Sequence, residues 1–249
     1  MNLRHTQRLF VDAPLATGQN ITVTPEQAHY LAHVLRMQVG DALRLFNGRD
    51  GEWVGALSHV SKKQAALTVQ SLLRSQQNAP DIELIAAPIK KAHFDFMLEK
   101  VTELGVRHIT PLLTQRTQVR EVNTERCHAM MVEAAEQSDR LDVPTIGKPE
   151  AIASLIAVWR NTRADRTVIV CAEFGDAQPI AEVCQKLAHD THAVSIITGP
   201  EGGFAEDELS ALCALPGAHA ARLGPRILRA DTAAIAALTC WQAMRGDWV

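Results

Sequence analysis

The chain has 249 residues and a net charge of −3, and its 47% hydrophobic content is typical of a globular protein with one large or two modest domains. No apolar run approaches the roughly 18 residues of a membrane span, and the first residues lack the apolar core of a signal peptide, so a cytoplasmic protein without a membrane partner is expected. The five cysteines form no Cys-x-x-Cys pair, and His189 and His192 have no further ligands nearby, so neither a disulfide framework nor a metal site is predicted.

Residues 1–75 are predicted to form a small β-barrel, because β-branched and aromatic residues alternate with turn signals such as Asn47-Gly48. The predicted strands span residues 8–12, 20–24, 42–46, 53–59 and 65–72. One helix is predicted among these strands, with Thr24 as its cap and Pro25 in its first turn. This part carries eight Lys and Arg against five Asp and Glu, whereas residues 76–249 have an acidic excess. Residues 1–75 are therefore the better candidate for contact with nucleic-acid phosphates.

A polar segment ending in Pro80 predicts a boundary between a domain of residues 1–75 and one of residues 76–249. Beyond it, apolar runs predict strands at 82–87, 108–113, 168–172 and 194–198. Helical periodicity predicts helices at 94–104, 123–137, 152–159, 180–187 and 232–244. Strands that alternate with helices predict an α/β domain with a mostly parallel sheet.

Two loops about 25 residues apart each follow an apolar run and precede a helix. They are Gly199-Pro200-Glu201-Gly202-Gly203-Phe204 and Leu223-Gly224-Pro225-Arg226-Ile227-Leu228-Arg229. Asp231 or Thr232 is expected to cap the second helix. Because parallel sheets bind ligands at the carboxyl ends of their strands, the loops are expected side by side at such an edge. Neither loop is a dinucleotide or phosphate-loop motif, and two ordinary tight turns stay the alternative.

In this order and spacing, the two loops resemble the paired signature of the RsmE-type 16S ribosomal RNA uridine-N3 methyltransferases of the SPOUT superfamily. Further matching stretches extend the resemblance over essentially the whole chain. They are Arg8-Leu9-Phe10-Val11, Val34-Leu35-Arg36-Met37 with Gly40-Asp41, residues 100–106, residues 114–117 leading to Arg120, and residues 133–138. One departure is Asp231, which stands where the family usually has the longer Glu.

The resemblance implies a SPOUT-type parallel sheet with a carboxyl-terminal trefoil knot, plus an amino-terminal PUA-like β-barrel. It implies transfer of a methyl group from S-adenosylmethionine to N3 of a uridine in 16S ribosomal RNA, as free RNA or in the small subunit. The donor is already activated, so no metal is needed. The expected cofactor contacts are Glu173, Thr198, Gly199, Glu201, Gly202, Gly203, Leu223, Gly224, Ile227 and Leu228.

Three residues are candidates for the chemistry. Arg229 is expected to stabilise negative charge on the uracil oxygens, with a phosphate clamp or an ion pair to Glu201 as the alternatives. Glu201 and Asp231 are the carboxylates that could take the N3 proton, although Glu201 could instead hold its loop. RNA contacts are expected from four arginines, which are Arg8, Arg36, Arg116 and Arg120.

The helix at 232–244 is apolar around most of its circumference, which favours a homodimer over a helix buried within one subunit. Two other functions remain open. A nicotinamide-dependent oxidoreductase is disfavoured because no G-x-G-x-x-G follows an early strand. A non-catalytic RNA-binding protein is disfavoured because both loop motifs are complete.

Overall fold

The structure, a computed structural model, describes residues 6–61, 63–173, 175–187 and 193–248, so His189 and His192 lie outside it. The chain divides into two compact units. The first comprises Met1–Asn78 and Ala135–Val143, and the second comprises Ala79–Ala134 and Pro144–Val249. The sequence predicted a second domain of residues 76–249, and it therefore did not assign Ala135–Val143 to the first unit. In the described residues, no helix is both long enough and apolar enough to span a bilayer.

The first unit contains a five-stranded sheet. Its strands are β1 (Arg8–Phe10), β2 (Asn20–Thr22), β3 (Ala42–Phe46), β4 (Glu52–Val60) and β5 (Ala65–Arg74). They lie in the order β1-β3-β4-β5-β2, with β1 parallel to β3 and the other pairs antiparallel. Alternate residues point inward, so Leu43 and Leu45 of β3 meet Leu67 and Val69 of β5 in one core. Among the described residues β1 and β2 are the two edge strands, so the sheet is open and the prediction of a closed barrel is not confirmed.

A capping box starts helix α1 (Pro25–His29), as the sequence predicted. Thr24 Oγ1 accepts from the Gln27 N–H at 3.2 Å, and Gln27 Oε1 accepts from the Thr24 N–H at 3.1 Å. The chain then widens into a π-helical turn over Tyr30–Val34, where the Leu35 N–H donates to the Tyr30 carbonyl. Arg36 follows in the left-handed conformation with φ of 54°.

The second unit is a parallel α/β sheet flanked by helices, which confirms the prediction of an α/β domain with a mostly parallel sheet. Its strands are β6 (Asp81–Ala86), β7 (His108–Leu113), β8 (Thr145–Ile146), β9 (Glu150–Ala151), β10 (Thr167–Cys171), β11 (Gln178–Pro179), β12 (Ala193–Thr198) and β13 (Ala218–Arg222). The strand order is β11-β13-β10-β12-β6-β7-β8, and β9 also pairs with β7. All of these pairings are parallel. The two-residue strands β8, β9 and β11 are too short to have produced a sequence pattern.

Of the six described helices that lie wholly or mainly in this unit, five extend close to the predicted ranges, and no range was predicted for the helix at Glu206–Cys213. The six are α2 (Lys91–Glu103), α3 (Thr124–Gln137), α4 (Ile152–Thr162), α5 (Ile180–Lys186), α6 (Glu206–Cys213) and α7 (Ala230–Met244). The central strands are continuous apolar runs, as expected for strands that are buried on both faces. Trp159 of α4 and Leu212 of α6 belong to one core with these strands, and α7 packs against α2, α5 and β12.

One buried ionic group connects the central strands. Glu83 of β6 is 4% exposed and accepts hydrogen bonds from Thr110 Oγ1 of β7 and from Ser195 Oγ of β12, both at 2.7 Å. Arg163, just after α4, donates to both carboxylate oxygens through Nε and Nη2. Burial alone would raise the pKa of Glu83, but the hydrogen bonds from Arg163, Ser195 and Thr110 outweigh it, so the pKa lies below its usual value of 4.5.

We expect Glu83→Gln to lower the free energy of unfolding by roughly 3 kcal/mol near neutral pH, because Arg163 loses its 3.0 Å ion pair and keeps the longer 3.7 Å contact with Glu150. A carboxyl group whose pKa is lower in the folded state stabilises above its unfolded pKa and loses that contribution as pH falls through the folded value. The difference between wild type and Glu83→Gln should therefore shrink below about pH 4.5. Urea unfolding between pH 3 and 7 measures it, with the exposed Glu99→Gln on α2 as the control. An equal unfolding midpoint at pH 7 would contradict this role for Glu83.

Candidate active site

The carboxyl ends of β10, β12 and β13 open into one cleft of about 820 Å³, including its mouth. The cleft is lined by Cys171, Ala172, Glu173, Thr198, Gly199, Pro200, Gly203, Phe204, Leu209, Arg222, Leu223, Gly224, Pro225, Arg226, Ile227, Leu228, Ala230 and Ala233. The two loops were expected side by side at the carboxyl edge of the sheet, and the strands that they leave are separated by β10. Both loops nevertheless line the same cleft, and the end of β10 lies between them.

Most of the residues predicted to bind the cofactor lie in this lining. They are Glu173, Thr198, Gly199, Gly203, Leu223, Gly224, Ile227 and Leu228. Glu201 and Gly202 belong to the same loop but are exposed outside the lining. Sequence reasoning missed the contributions of Phe204, Leu209 and the first turn of α7. Ala230 and Ala233 could have been found from their three-residue spacing, which places both on one face of the helix.

The cleft combines backbone-rich turns, apolar walls and few charged groups. Gly224 has φ of 104° and Gly203 has φ of 67°, which only glycine adopts without strain. Glu173 is exposed at the end of β10, and Thr198 is buried at the end of β12. Burial raises the pKa of the Cys171 thiol to about 12, which disfavours its nucleophilic thiolate form. The described residues contain no group of three potential metal ligands.

The loop after β12 is fastened to the turn after β7. Glu208, in the first turn of α6, accepts from the Ala205 N–H at 3.1 Å and from the Gln115 N–H at 2.8 Å. Arg116 Nη1 donates to the Gly202 carbonyl at 2.7 Å. Arg116, expected to contact RNA, is exposed but already uses one guanidinium nitrogen to hold the loop.

The three candidates for the chemistry have different surroundings. Arg229 is the exposed N-cap residue of α7, and Glu201 is exposed in its loop. The prediction that Asp231 or Thr232 caps α7 is wrong, because the helix begins at Ala230 and Asp231 lies in its first turn.

Asp231 is buried, and one of its oxygens accepts from the Thr232 N–H at 2.8 Å. Its other oxygen lies 3.0 Å from Nδ1 of His93 on α2. Sequence reasoning missed His93, since nothing in the local pattern of α2 relates it to a residue 138 positions away.

Arg8 corrects the sequence interpretation. It is 3% exposed, and its Nε donates to Glu52 at 2.7 Å. Its Nη1 donates to the Ala135 carbonyl at 2.6 Å, and its Nη2 donates to the Arg140 carbonyl. Burial lowers the pKa of Arg8, and Glu52 offsets part of that effect. Because the guanidinium is enclosed by protein groups, the expected contact of Arg8 with RNA phosphate is wrong, and this cation holds the segment 135–143 within the first unit. Arg36 and Arg120 are exposed, and their RNA contacts stay a prediction.

We expect Arg8→Ala to destabilise the first unit by roughly 3 kcal/mol, because it leaves buried carbonyls and the Glu52 carboxylate with fewer donors. Arg36→Ala is the matched control, since that arginine is exposed, and its unfolding midpoint should stay unchanged. Urea unfolding of both variants measures the effect. An Arg8→Ala protein of unchanged stability but weaker RNA binding would support the original prediction that Arg8 contacts RNA.

The fold and the cleft define a protein that binds a ligand at the carboxyl edge of a parallel sheet and carries a separate β-rich unit. The family profile of the RNA methyltransferase domain matches residues 76–242, and that of the RNA methyltransferase PUA domain matches residues 23–70. Ribosomal RNA small subunit methyltransferase E from Rickettsia conorii is 32% identical over 93% of each chain. The protein of the same name from Synechocystis is 31% identical over 93% of this chain and 75% of its own length.

Two solved structures are also similar over nearly the whole chain. One from Legionella pneumophila, in complex with the bound cofactor SAM, has a TM-score of 0.84 and 30% identity, and covers 96% of this chain and 98% of its own. Ribosomal RNA small subunit methyltransferase E from Neisseria gonorrhoeae, bound to S-adenosyl methionine, has a TM-score of 0.87 and 26% identity, and covers 98% of this chain and all of its own. The chain belongs to the RNA methyltransferase family, among the ribosomal RNA small subunit methyltransferase E proteins.

Proposed function

We propose that this protein transfers a methyl group from S-adenosylmethionine to N3 of a uridine in 16S ribosomal RNA. The observation that carries the proposal is the meeting of the two signature loops with the end of β10 in one cleft. The relatives that are named as small subunit methyltransferases support it. The two similar solved structures, which contain this cofactor, also support it. Membership of this family also removes the reason to consider a nicotinamide-dependent oxidoreductase.

The cleft residues fit S-adenosylmethionine in chemistry. Leu223, Ile227 and Leu228 offer apolar contacts for an adenine ring, and the turn at Gly224 lets backbone groups approach it. The Glu173 carboxylate can accept hydrogen bonds from ribose hydroxyls. When bound, the cofactor supplies a methyl group that its sulfonium already activates. The task of the chain is then to hold the uracil in line with that methyl group.

Arg229 and the two carboxylates are assigned to the uracil. The exposed Arg229 guanidinium stabilises negative charge on the uracil oxygens by charge-assisted hydrogen bonds. Proton loss from N3 requires an acceptor, and Glu201 is the accessible carboxylate of the loop. Asp231 is buried against His93, which favours an orienting role for it over direct proton transfer.

RNA contacts are assigned to exposed arginines in both predicted domains. Arg36 lies in the PUA-like domain of residues 1–75, which has the basic excess. Arg116 and Arg120 lie after β7 in the methyltransferase domain of residues 76–249. We place the carboxyl-terminal trefoil knot of SPOUT enzymes in this second domain. The strand order supports it, because the chain passes from β12 beyond β10 to β13 and then returns as α7 to pack against β12.

The proposed working unit is a homodimer. Helix α7 buries Ala234, Ala237, Leu238 and Trp241 within its own chain, so intrachain packing accounts for part of its apolar surface. Ile235 and Ala236 remain half-exposed and support a second partner. Light scattering at micromolar concentration should give twice the chain mass. An active preparation with a monomer mass would rule the dimer out.

We expect Gly224→Ala to weaken binding of S-adenosylhomocysteine at least tenfold, because the loop must leave φ of 104° or carry strain there. Gly18→Ala is the matched control, since Gly18 has φ of 81° and, like Gly224, no atom within 4 Å of an added Cβ. Both variants should lose similar stability, whereas only Gly224→Ala should lose affinity in calorimetry. Equal affinities in the two variants would remove this turn from the cofactor site.

The proposed reaction is tested by transfer of labelled methyl groups to free 16S ribosomal RNA and to isolated small subunits, followed by mass spectrometry of the digested nucleosides. The expected product is N3-methyluridine. Arg229→Lys should slow single-turnover transfer by tenfold or more at unchanged cofactor affinity, because an ammonium cannot reproduce the planar two-donor contact. Absence of labelled uridine with either substrate would favour the non-catalytic RNA-binding alternative.

A further inference from the structure

The contact between His93 and Asp231 joins α2 to the first turn of α7. An ionised carboxylate only accepts hydrogen bonds, so the 3.0 Å contact between Nδ1 and Oδ2 places a proton on Nδ1 of His93. The His93 side chain is 45% exposed, whereas that of Asp231 is 10% exposed. The pair therefore has a buried carboxylate end and an accessible imidazole end.

Asp231 fixes the beginning of α7 from inside the helix. Helix α7 has no side-chain hydrogen bond at its N-cap, Arg229. The Asp231 carboxylate instead accepts from the Thr232 N–H and places a negative charge at the positive end of the helix. Ala230, which lines the cleft, immediately precedes it, and Arg229, assigned to the uracil, lies two positions before it. The orientation of the Asp231 side chain therefore affects the positions of Arg229 and Ala230.

His93 is in turn fixed to the cofactor edge of the sheet. It lies in the first turn of α2, where its N–H donates to the Lys90 carbonyl at 2.9 Å. The segment between β6 and α2 is hydrogen-bonded to β12, through the Ala87 N–H and the Thr198 carbonyl at 3.3 Å. His93 thus connects the beginning of α7 to the first turn of α2, which follows the segment bonded to β12.

Other charges near His93 are paired with each other. Asp95 of α2 forms ion pairs with Arg126 at 2.8 Å and with Lys91 at 3.4 Å. Within the described residues, His93 is the side chain outside α7 that is hydrogen-bonded to Asp231.

We propose that His93 is a positioning residue for methyl transfer: it holds Asp231 and, through that carboxylate, the first turn of α7 that presents Arg229. This inference rests on the proposed methyltransferase function. It assigns His93 no contact with the RNA or the cofactor. Its loss should therefore lower kcat for a correctly folded enzyme that still binds the cofactor.

The test compares His93→Leu, which fills similar volume without a donor, with His93→Asn, whose Nδ2 replaces Nδ1 as the donor. We expect His93→Leu to lower kcat tenfold or more at saturating RNA and S-adenosylmethionine. Its affinity for S-adenosylhomocysteine should stay near wild type, and the protein should stay folded at the assay temperature, although loss of the donor to buried Asp231 lowers its thermal midpoint. His93→Asn should recover most of kcat, and Asp231→Ala should abolish any difference between His and Leu at position 93. Glu99→Ala, an exposed change on the same helix, is the control.

Each other outcome overturns the proposal. A His93→Leu kcat within twofold of wild type removes His93 from the reaction. Loss of the fold or of cofactor binding in that variant assigns His93 to stability alone. If His93→Asn is as slow as His93→Leu, the imidazole itself is needed, which favours proton transfer by His93. Wild-type protein without methyl transfer would instead refute the proposed function, so the two failures are distinguishable.

Discussion

The buried Glu83 carboxylate is the constraint on which the parallel sheet depends. Its partners come from β7, from β12 and from the end of α4, so one side chain fixes three strands and a helix. A slip of one residue in β7 or β12 would turn Thr110 or Ser195 to the opposite face and leave the buried carboxylate with one hydrogen-bond donor fewer. The register of β6 and β12 is thus set by polar contacts within an otherwise apolar layer.

This arrangement separates stability from chemistry along the strands. The Glu83 network lies in the body of the sheet, while the cleft opens at the carboxyl ends of β10, β12 and β13. The cleft itself uses backbone turns and apolar walls, with few charges to desolvate. Such a site suits a cofactor whose reactive group is already activated, because placement rather than acid or base strength then limits the reaction.

The sequence predicted what depends on periodic burial and missed what depends on distant partners. Parallel strands and long helices were predictable, since a strand buried on both faces is a continuous apolar run and a helix has a repeating apolar face. The two glycine-rich loops were predictable because Gly224 requires a backbone conformation that other residues avoid. The contact of His93 with Asp231 was not, because it exists only after α2 and α7 have packed.

Arg8 shows the limit of a motif match. The residues around it resemble the family pattern, but the pattern does not tell whether a cation contacts RNA or the carbonyls of its own chain. Its guanidinium donates to residues more than 120 positions away, a relation that no local pattern contains. Burial and hydrogen bonding decide between the two roles, and here they assign Arg8 to folding.

The inclusion of Ala135–Val143 in the first unit affects how the protein can be divided. The chain passes between the two units three times, so no single cut yields either unit complete. A fragment of residues 1–75 would lack the carbonyls that Arg8 binds, and a fragment of residues 76–249 would carry those carbonyls without their donor. Limited proteolysis or a two-fragment expression strategy should therefore give pieces that associate rather than two independent domains.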